Sequence, residues 1–156
     1  MTAIWALTAQ ICMIALGYGA ALATGAAFAT VAVMQFETSQ LTSDWRVLTE
    51  AVVIWLSFGI TGLQASFGPA AIAIAVCEGM KLRGLVAYLV AAIVVGLATA
   101  LPLGAALYGQ EYPPLDRDAL TLTVAAAAVG GFFYWLIAGR TAGRWMAYPW
   151  SDGHPR

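Results

Sequence analysis

Long uncharged apolar stretches alternate with short polar segments along this chain. The stretches run over residues 11–34, 51–77, 84–107 and 119–139, and none of them contains Asp, Glu, Lys or Arg. Each can cross a hydrocarbon core of about 30 Å as a helix that rises about 1.5 Å per residue. Lipid offers backbone amides no partner, so a spanning segment must bond to itself as a helix does. The pattern therefore predicts an all-α membrane protein, a bundle of four transmembrane helices.

The composition leaves no room for a separate soluble domain. The chain has 156 residues, of which 62% are hydrophobic, and its mean hydropathy is +0.81. We therefore expect a single four-helix transmembrane domain over residues 1–156, with the lipid bilayer as its first partner. The formal net charge is −1 and no basic run is present, which argues against binding to nucleic acid.

The distribution of basic residues predicts the orientation. Four spans place the N-terminus, the connection around residues 78–84 and the C-terminal tail on one side of the membrane. That side holds five of the basic residues, namely Lys81, Arg83, Arg140, Arg144 and Arg156, and the other side holds only Arg46 and Arg117. Since cytoplasmic loops carry the excess of Lys and Arg, both termini are predicted to be cytoplasmic.

Two predicted helices carry a small residue at every fourth position. These stripes are Gly17, Ala21, Gly25 and Ala29 in the first span, and Ala92, Gly96, Ala100 and Gly104 in the third. Small residues let helix backbones approach closely, and van der Waals packing holds helices together in lipid. The stripes predict contact faces between helices.

The second span contains polar residues on one helical face. Ser57, Thr61 and Gln64 follow helical spacing, Gly68 continues the face, and Pro69 predicts a bend. Gln64 falls near the middle of the span, where an unpaired amide is costly. The face is either a polar lane along a transport path or a set of hydrogen bonds between helices.

A second candidate site lies at the predicted cytoplasmic boundary. It comprises Glu78, Lys81, Arg83, Arg140 and Arg144, close to aromatic residues typical of a membrane interface. Glu78 could relay protons or hold a lipid headgroup. The alternative, which we expect, is a solvated carboxylate paired with the neighbouring cations.

Several residue types needed for chemistry are missing from the spans. The one histidine is His154 in the tail, so no histidine-ligated haem or chlorophyll and no metal site is expected within the membrane. Cys12 and Cys77 form no CxxC pair and are interpreted as packing residues. No Ser-His-Asp or paired-carboxylate arrangement is present, so the chain is not expected to be an enzyme. The identity of any cofactor stays open.

The end of the fourth span carries a resemblance. The segment over residues 131–143, GFFYWLIAGRTAG, is similar to the C-terminal motif of a family of small bacterial inner-membrane proteins with four spans and a YWLIAGRxAG-like motif. The hairpin around Pro69, Glu78 and Arg83 also looks like the pattern of that family. The resemblance implies a bacterial inner-membrane location and shared positions at Glu78, Arg83 and Arg140, and it brings no activity.

Three hypotheses about function follow. The leading one is a non-catalytic accessory or structural subunit, or an assembly partner, of an inner-membrane complex. It is motivated by the small-residue faces and by the lack of charge within the spans, and its partners are other membrane subunits or copies of the chain. The second is a small oligomeric channel or transporter that uses the polar face of the second helix. The third is a binder of a lipid, quinone or carotenoid, none of which needs a histidine ligand.

Overall fold

The chain is all-helical wherever the structure, a computed structural model, describes it, which is over residues 3–35, 45–100 and 117–143. Four α-helices follow one another: α1 (Ala3–Met34), α2 (Trp45–Gly79), α3 (Leu85–Ala100) and α4 (Arg117–Ile137). A short 3₁₀ turn, Gly139–Thr141, follows α4. The predicted all-α class is confirmed for these residues, which contain no strand.

Three of the helices, α1, α2 and α4, are long and apolar enough to cross a membrane. The described part of α3 is apolar but has 16 residues, and the rest of the predicted third span, with Gly104, lies outside the described residues. Helix α1 begins well before the first predicted span, so Gln10 is part of the helix. These lengths and compositions are those of an integral membrane protein.

Helix α2 is longer than the bilayer is thick. Its 35 residues extend about 52 Å at 1.5 Å per residue, against a hydrocarbon core of about 30 Å. The helix contains Pro69 and continues through it without interruption. Gly68 and Pro69 therefore do not divide α2 into two helices, and α2 ends at Gly79.

Helix α4 lies between α1 and α3 and packs against both, while α2 contacts α1 and α3. Two consecutive glycines make the close approach of α4 possible. A Cβ on Gly130 would lie 2.9 Å from the backbone oxygen of Ala21 in α1, and one on Gly131 would lie 2.6 Å from the Cβ of Ala92 in α3. Ala21 and Ala92 belong to the small-residue stripes, and at these positions the predicted helix contacts are confirmed.

Candidate functional site

A buried polar junction joins α1 and the turn after α4 to the hairpin between α2 and α3. Its centre is the Glu78 carboxylate at the end of α2. One carboxylate oxygen accepts a hydrogen bond from Nε2 of Gln10 at 2.7 Å, and the other accepts from the backbone N–H of Gly143 at 2.7 Å. The Thr141 hydroxyl donates to Oε1 of Gln10 at 3.3 Å. Residues more than 60 positions apart in sequence thus meet at one carboxylate.

The local backbone explains how Gly143 reaches Glu78. After α2 ends, Lys81 adopts a left-handed φ of 54°, and Gly143 adopts a φ of 68°. A Cβ on Gly143 would lie 2.7 Å from Cγ of Lys81 and 3.4 Å from the backbone oxygen of Glu78. Glycine meets both demands, since it has no Cβ and readily takes positive φ. The close approach brings its N–H within bonding distance of the carboxylate.

The basic residues of the boundary site make separate contacts. Arg83 donates through Nε to the backbone oxygen of Ala142 at 3.0 Å, and its own backbone oxygen accepts from the Trp135 indole N–H at 2.9 Å. The Arg140 guanidinium lies 4.5 Å from the centre of the Trp135 ring, a cation–π contact. Lys81 is exposed. Arg144 lies outside the described residues.

The expectation that Glu78 is solvated is wrong. Glu78 is only 7% exposed, and Gln10 beside it is 6% exposed. Within the described part of the chain, the carboxylate is bonded to uncharged donors and forms no ion pair with Lys81 or Arg83. The reason is tertiary: α1 and the turn after α4 fold over the end of α2 and cover it. Gln10, Thr141 and Gly143 were not among the predicted site residues, because the partners of a carboxylate cannot be inferred from local spacing.

A second feature is an elongated cavity of about 670 Å³ between α2 and the other three helices. Small apolar residues of all four helices line it, and examples are Gly25, Ala70, Gly96 and Ala126. On α2 the lining runs from Phe58 to Cys77, a helical rise of about 28 Å. At the Cys77 end the cavity meets a buried cluster of Cys77, Tyr88, Tyr134, Ala138 and Ala142, which lies next to the polar junction.

Two hydroxyl groups on the cavity wall bond to each other. The Tyr18 phenol and the Ser66 hydroxyl are 2.9 Å apart, and Ser66 also donates to the backbone oxygen of Gly62 at 2.6 Å. Both side chains are half-buried and line the cavity. This pair could not be predicted from the sequence, because Ser66 lies on the opposite face of α2 from Gln64 and no local pattern joins it to Tyr18 in α1.

The residues of the predicted polar lane do not share one environment. Thr61 lines the cavity, whereas Ser57 and Gln64 are exposed on the outer surface of α2. The Ser57 hydroxyl donates to the backbone oxygen of Val53 at 2.8 Å, within its own helix. The Gln64 amide has no hydrogen-bond partner among the described residues. Pro69 lines an outer groove between α2 and α3.

Comparison with known proteins adds no relative: no family model, curated protein or solved structure matches the chain. The resemblance of residues 131–143 to small bacterial inner-membrane proteins therefore stays a prediction.

Proposed function

We propose that this chain is a non-catalytic subunit or assembly partner of a bacterial inner-membrane complex, and that it associates with other membrane subunits or with copies of itself through the outer surface of α2. The four helices act as one bundle in this proposal, and both termini are cytoplasmic. The observation that carries it is the exposed Gln64 amide.

Gln64 lies near the middle of a span, and its side chain is exposed, away from the described residues of its own chain. Its primary amide has two N–H donors and a carbonyl acceptor, and it bonds to none of the described residues. Lipid tails offer no hydrogen bonds, so a polar group at this depth is costly unless a protein partner supplies them. A partner helix at this surface would remove that cost.

The residues around Gln64 have the composition of a helix contact face. At 100° per residue, five residues in the part of α2 from Ser57 to Ala75 fall within a sector of about 60°. These are Ser57, Gln64, Gly68, Ala71 and Ala75, which we call the α2 seam, and all except the half-buried Gly68 are exposed. Small residues permit close approach of two helices in lipid, and a glutamine among them supplies a hydrogen bond. The same combination supports an intermolecular contact here.

The second hypothesis, an oligomeric channel, gains no support from this arrangement. A transport lane along α2 needs its polar residues on one continuous path. Thr61 instead lines the internal cavity, while Ser57 and Gln64 face outward. Polar residues on the outer surface of a helix can form hydrogen bonds to a partner subunit. The assembly hypothesis therefore explains the positions of Ser57 and Gln64 better than the channel hypothesis does.

Replacing Gln64 by leucine is expected to weaken the assembly. An interhelical hydrogen bond in a membrane contributes about 1 kcal/mol, so association should weaken by roughly five-fold. The measurement is native mass spectrometry or single-molecule photobleaching of the chain extracted in native nanodiscs. Leu63→Ala is the matched control, because Leu63 is an exposed neighbour outside the seam. Wild-type protein that is monomeric and free of other subunits in native membranes contradicts the proposal, as does equal association of Gln64→Leu and wild type.

The proposed orientation has a separate test. A reporter enzyme that is active only after export should be inactive when fused after residue 156 and active when inserted within residues 36–44. The physical reason is the excess of Lys and Arg at the hairpin and C-terminal tail, which retains those segments in the cytoplasm. An active reporter at the C-terminus would reverse the orientation and leave the α2 seam proposal in place.

A further inference from the structure

We infer that the elongated cavity between α2 and the other three helices binds a neutral, long-chain lipophile with a hydroxyl group, such as a fatty or isoprenoid alcohol. The inference is independent of the proposed assembly, because the cavity and the α2 seam lie on opposite faces of α2. It rests on the size of the cavity, the absence of charge from its lining and the directions of its hydrogen bonds.

The dimensions indicate an elongated ligand. A volume of about 670 Å³ lies within the range of about 300–1,000 Å³ that is usual for ligand pockets. Its extent of about 28 Å along α2 is close to the thickness of the hydrocarbon core, about 30 Å. An extended chain with its axis along the helices follows this shape, whereas a compact multi-ring molecule would use only part of it.

The lining selects a neutral ligand. The side chains that line the cavity belong to Ala, Gly, Val, Leu, Ile, Phe, Cys, Ser, Thr and Tyr, and none of them is charged. A carboxylate or phosphate placed here would lose its hydration without gaining a counter-charge from these residues. Fatty acids and phospholipid headgroups are therefore poor occupants, while an uncharged polar group of modest size is acceptable.

The Tyr18 and Ser66 hydroxyls favour a ligand that donates a hydrogen bond. Ser66 uses its proton in the bond to the Gly62 backbone oxygen, so the Tyr18 phenol donates its proton to Ser66. Both protons are then engaged, and the remaining lone pairs on the two oxygens can only accept. A ligand hydroxyl can donate to them. A ketone carbonyl would find no free proton at this pair.

Other hydroxyls on the wall are placed differently. Thr99 and Thr123 donate to backbone oxygens of their own helices at 2.8 Å. Thr61 has no hydrogen bond to the described residues, but it is exposed and lies towards the Phe58 end. The Tyr88 and Tyr134 phenols also line the cavity, at its Cys77 end within the buried cluster. The Tyr88 hydroxyl oxygen has no hydrogen-bond partner among the described residues, but it is enclosed by protein and is not open to a ligand. Tyr18 and Ser66 therefore form the polar point along the cavity, and Thr61 defines the alternative that the experiment must separate.

The cavity also has a route of entry from the membrane. Four residues, Ala73, Cys77, Ala91 and Val95, line both the cavity and the outer groove between α2 and α3. Three of the four side chains are alanine or cysteine, so the partition between the two spaces is thin. A ligand dissolved in the bilayer can enter sideways at this position without passing through water.

The test uses the full chain in nanodiscs and three deuterated probes of equal chain length: octadecan-1-ol, octadecan-2-one and octadecanoate. Native mass spectrometry should show the alcohol bound at about one per chain. One lost hydrogen bond corresponds to roughly five-fold weaker binding, and this is the expected ratio for the ketone. The carboxylate should bind more weakly than the ketone.

Two variants make the site assignment falsifiable. Ser66→Ala removes the acceptor of the Tyr18 proton and frees that proton, which a ketone or an alcohol can then accept, so the five-fold preference for the alcohol should be lost. Ala65→Phe should fill the cavity and abolish binding, while Leu63→Phe, outside the cavity, should bind as wild type does; circular dichroism checks that each variant is helical. The inference is overturned if wild type binds no alcohol, if helical Ala65→Phe binds normally, or if Ser66→Ala leaves the preference unchanged, which would point to Thr61 instead.

Discussion

Glu78→Leu is expected to lower the free energy of unfolding by about 2 kcal/mol or more. The variant removes the carboxylate that accepts from Gln10 Nε2 and from the Gly143 N–H. Each buried donor left without an acceptor costs about 1–3 kcal/mol. The Gly143 N–H belongs to the backbone and cannot turn towards another acceptor. Denaturant titration in a mild detergent, followed by circular dichroism and proteolysis of the C-terminal segment, measures the loss.

One further variant separates hydrogen bonding from charge at this junction, and a second serves as the control. Glu78→Gln should cost little, because its amide oxygen can accept from Gly143 while its NH₂ group donates to a flipped Gln10 amide. Glu50→Leu is the matched control, since Glu50 is exposed in the first turns of α2. Equal stability of Glu78→Leu and Glu50→Leu would show that the junction does not stabilise the fold. A large loss in Glu78→Gln would instead assign the effect to charge.

Gly131→Ala is the second substitution for which we expect a large effect. The added Cβ would lie 2.6 Å from Ala92 Cβ and 3.0 Å from the Tyr88 backbone oxygen. Neither neighbour is a flexible side-chain end, so α3 and α4 must move apart. Overpacking of this kind usually costs about 1–3 kcal/mol, and it should appear as a lower unfolding midpoint in detergent.

Gly19→Ala is the control for that substitution. A Cβ on Gly19 meets nothing within 4 Å, and alanine is favoured over glycine in an exposed helix by up to about 1 kcal/mol. Gly19→Ala should therefore leave stability unchanged or raise it. A Gly131→Ala variant as stable as Gly19→Ala would mean that α3 and α4 do not approach as closely as the structure has them.

Much of the fold could be predicted because lipid imposes local rules. A span must be apolar and helical along its whole length, so α1, α2 and α4 are visible as uncharged stretches. The small-residue stripe in α1 is visible for a similar reason, because close packing needs small residues at regular spacing. The role of Gly130 and Gly131 was not predicted: consecutive residues point to different neighbours, and a periodicity argument considers one face at a time.

The candidate sites were predictable only in part. Glu78 stood out as a carboxylate at the end of a span, but its environment depended on Gln10 and Gly143, which are distant in sequence. The polar face of α2 was identified by helical spacing alone. Spacing shows which residues share a face of a helix, but it does not show which face contacts a neighbouring helix. The different environments of Thr61 and Gln64 could therefore not be predicted.

By itself the sequence determined that the chain is a helical membrane protein, since the length and apolarity of its stretches satisfy the demands of a bilayer one segment at a time. The tertiary structure alone decided which polar groups find partners. It buried Glu78 under α1 and the turn after α4, joined Tyr18 to Ser66 on the cavity wall, and left Gln64 facing outward. The reason is that hydrogen bonding between segments depends on how helices are arranged around one another, and local pattern carries no information on that arrangement.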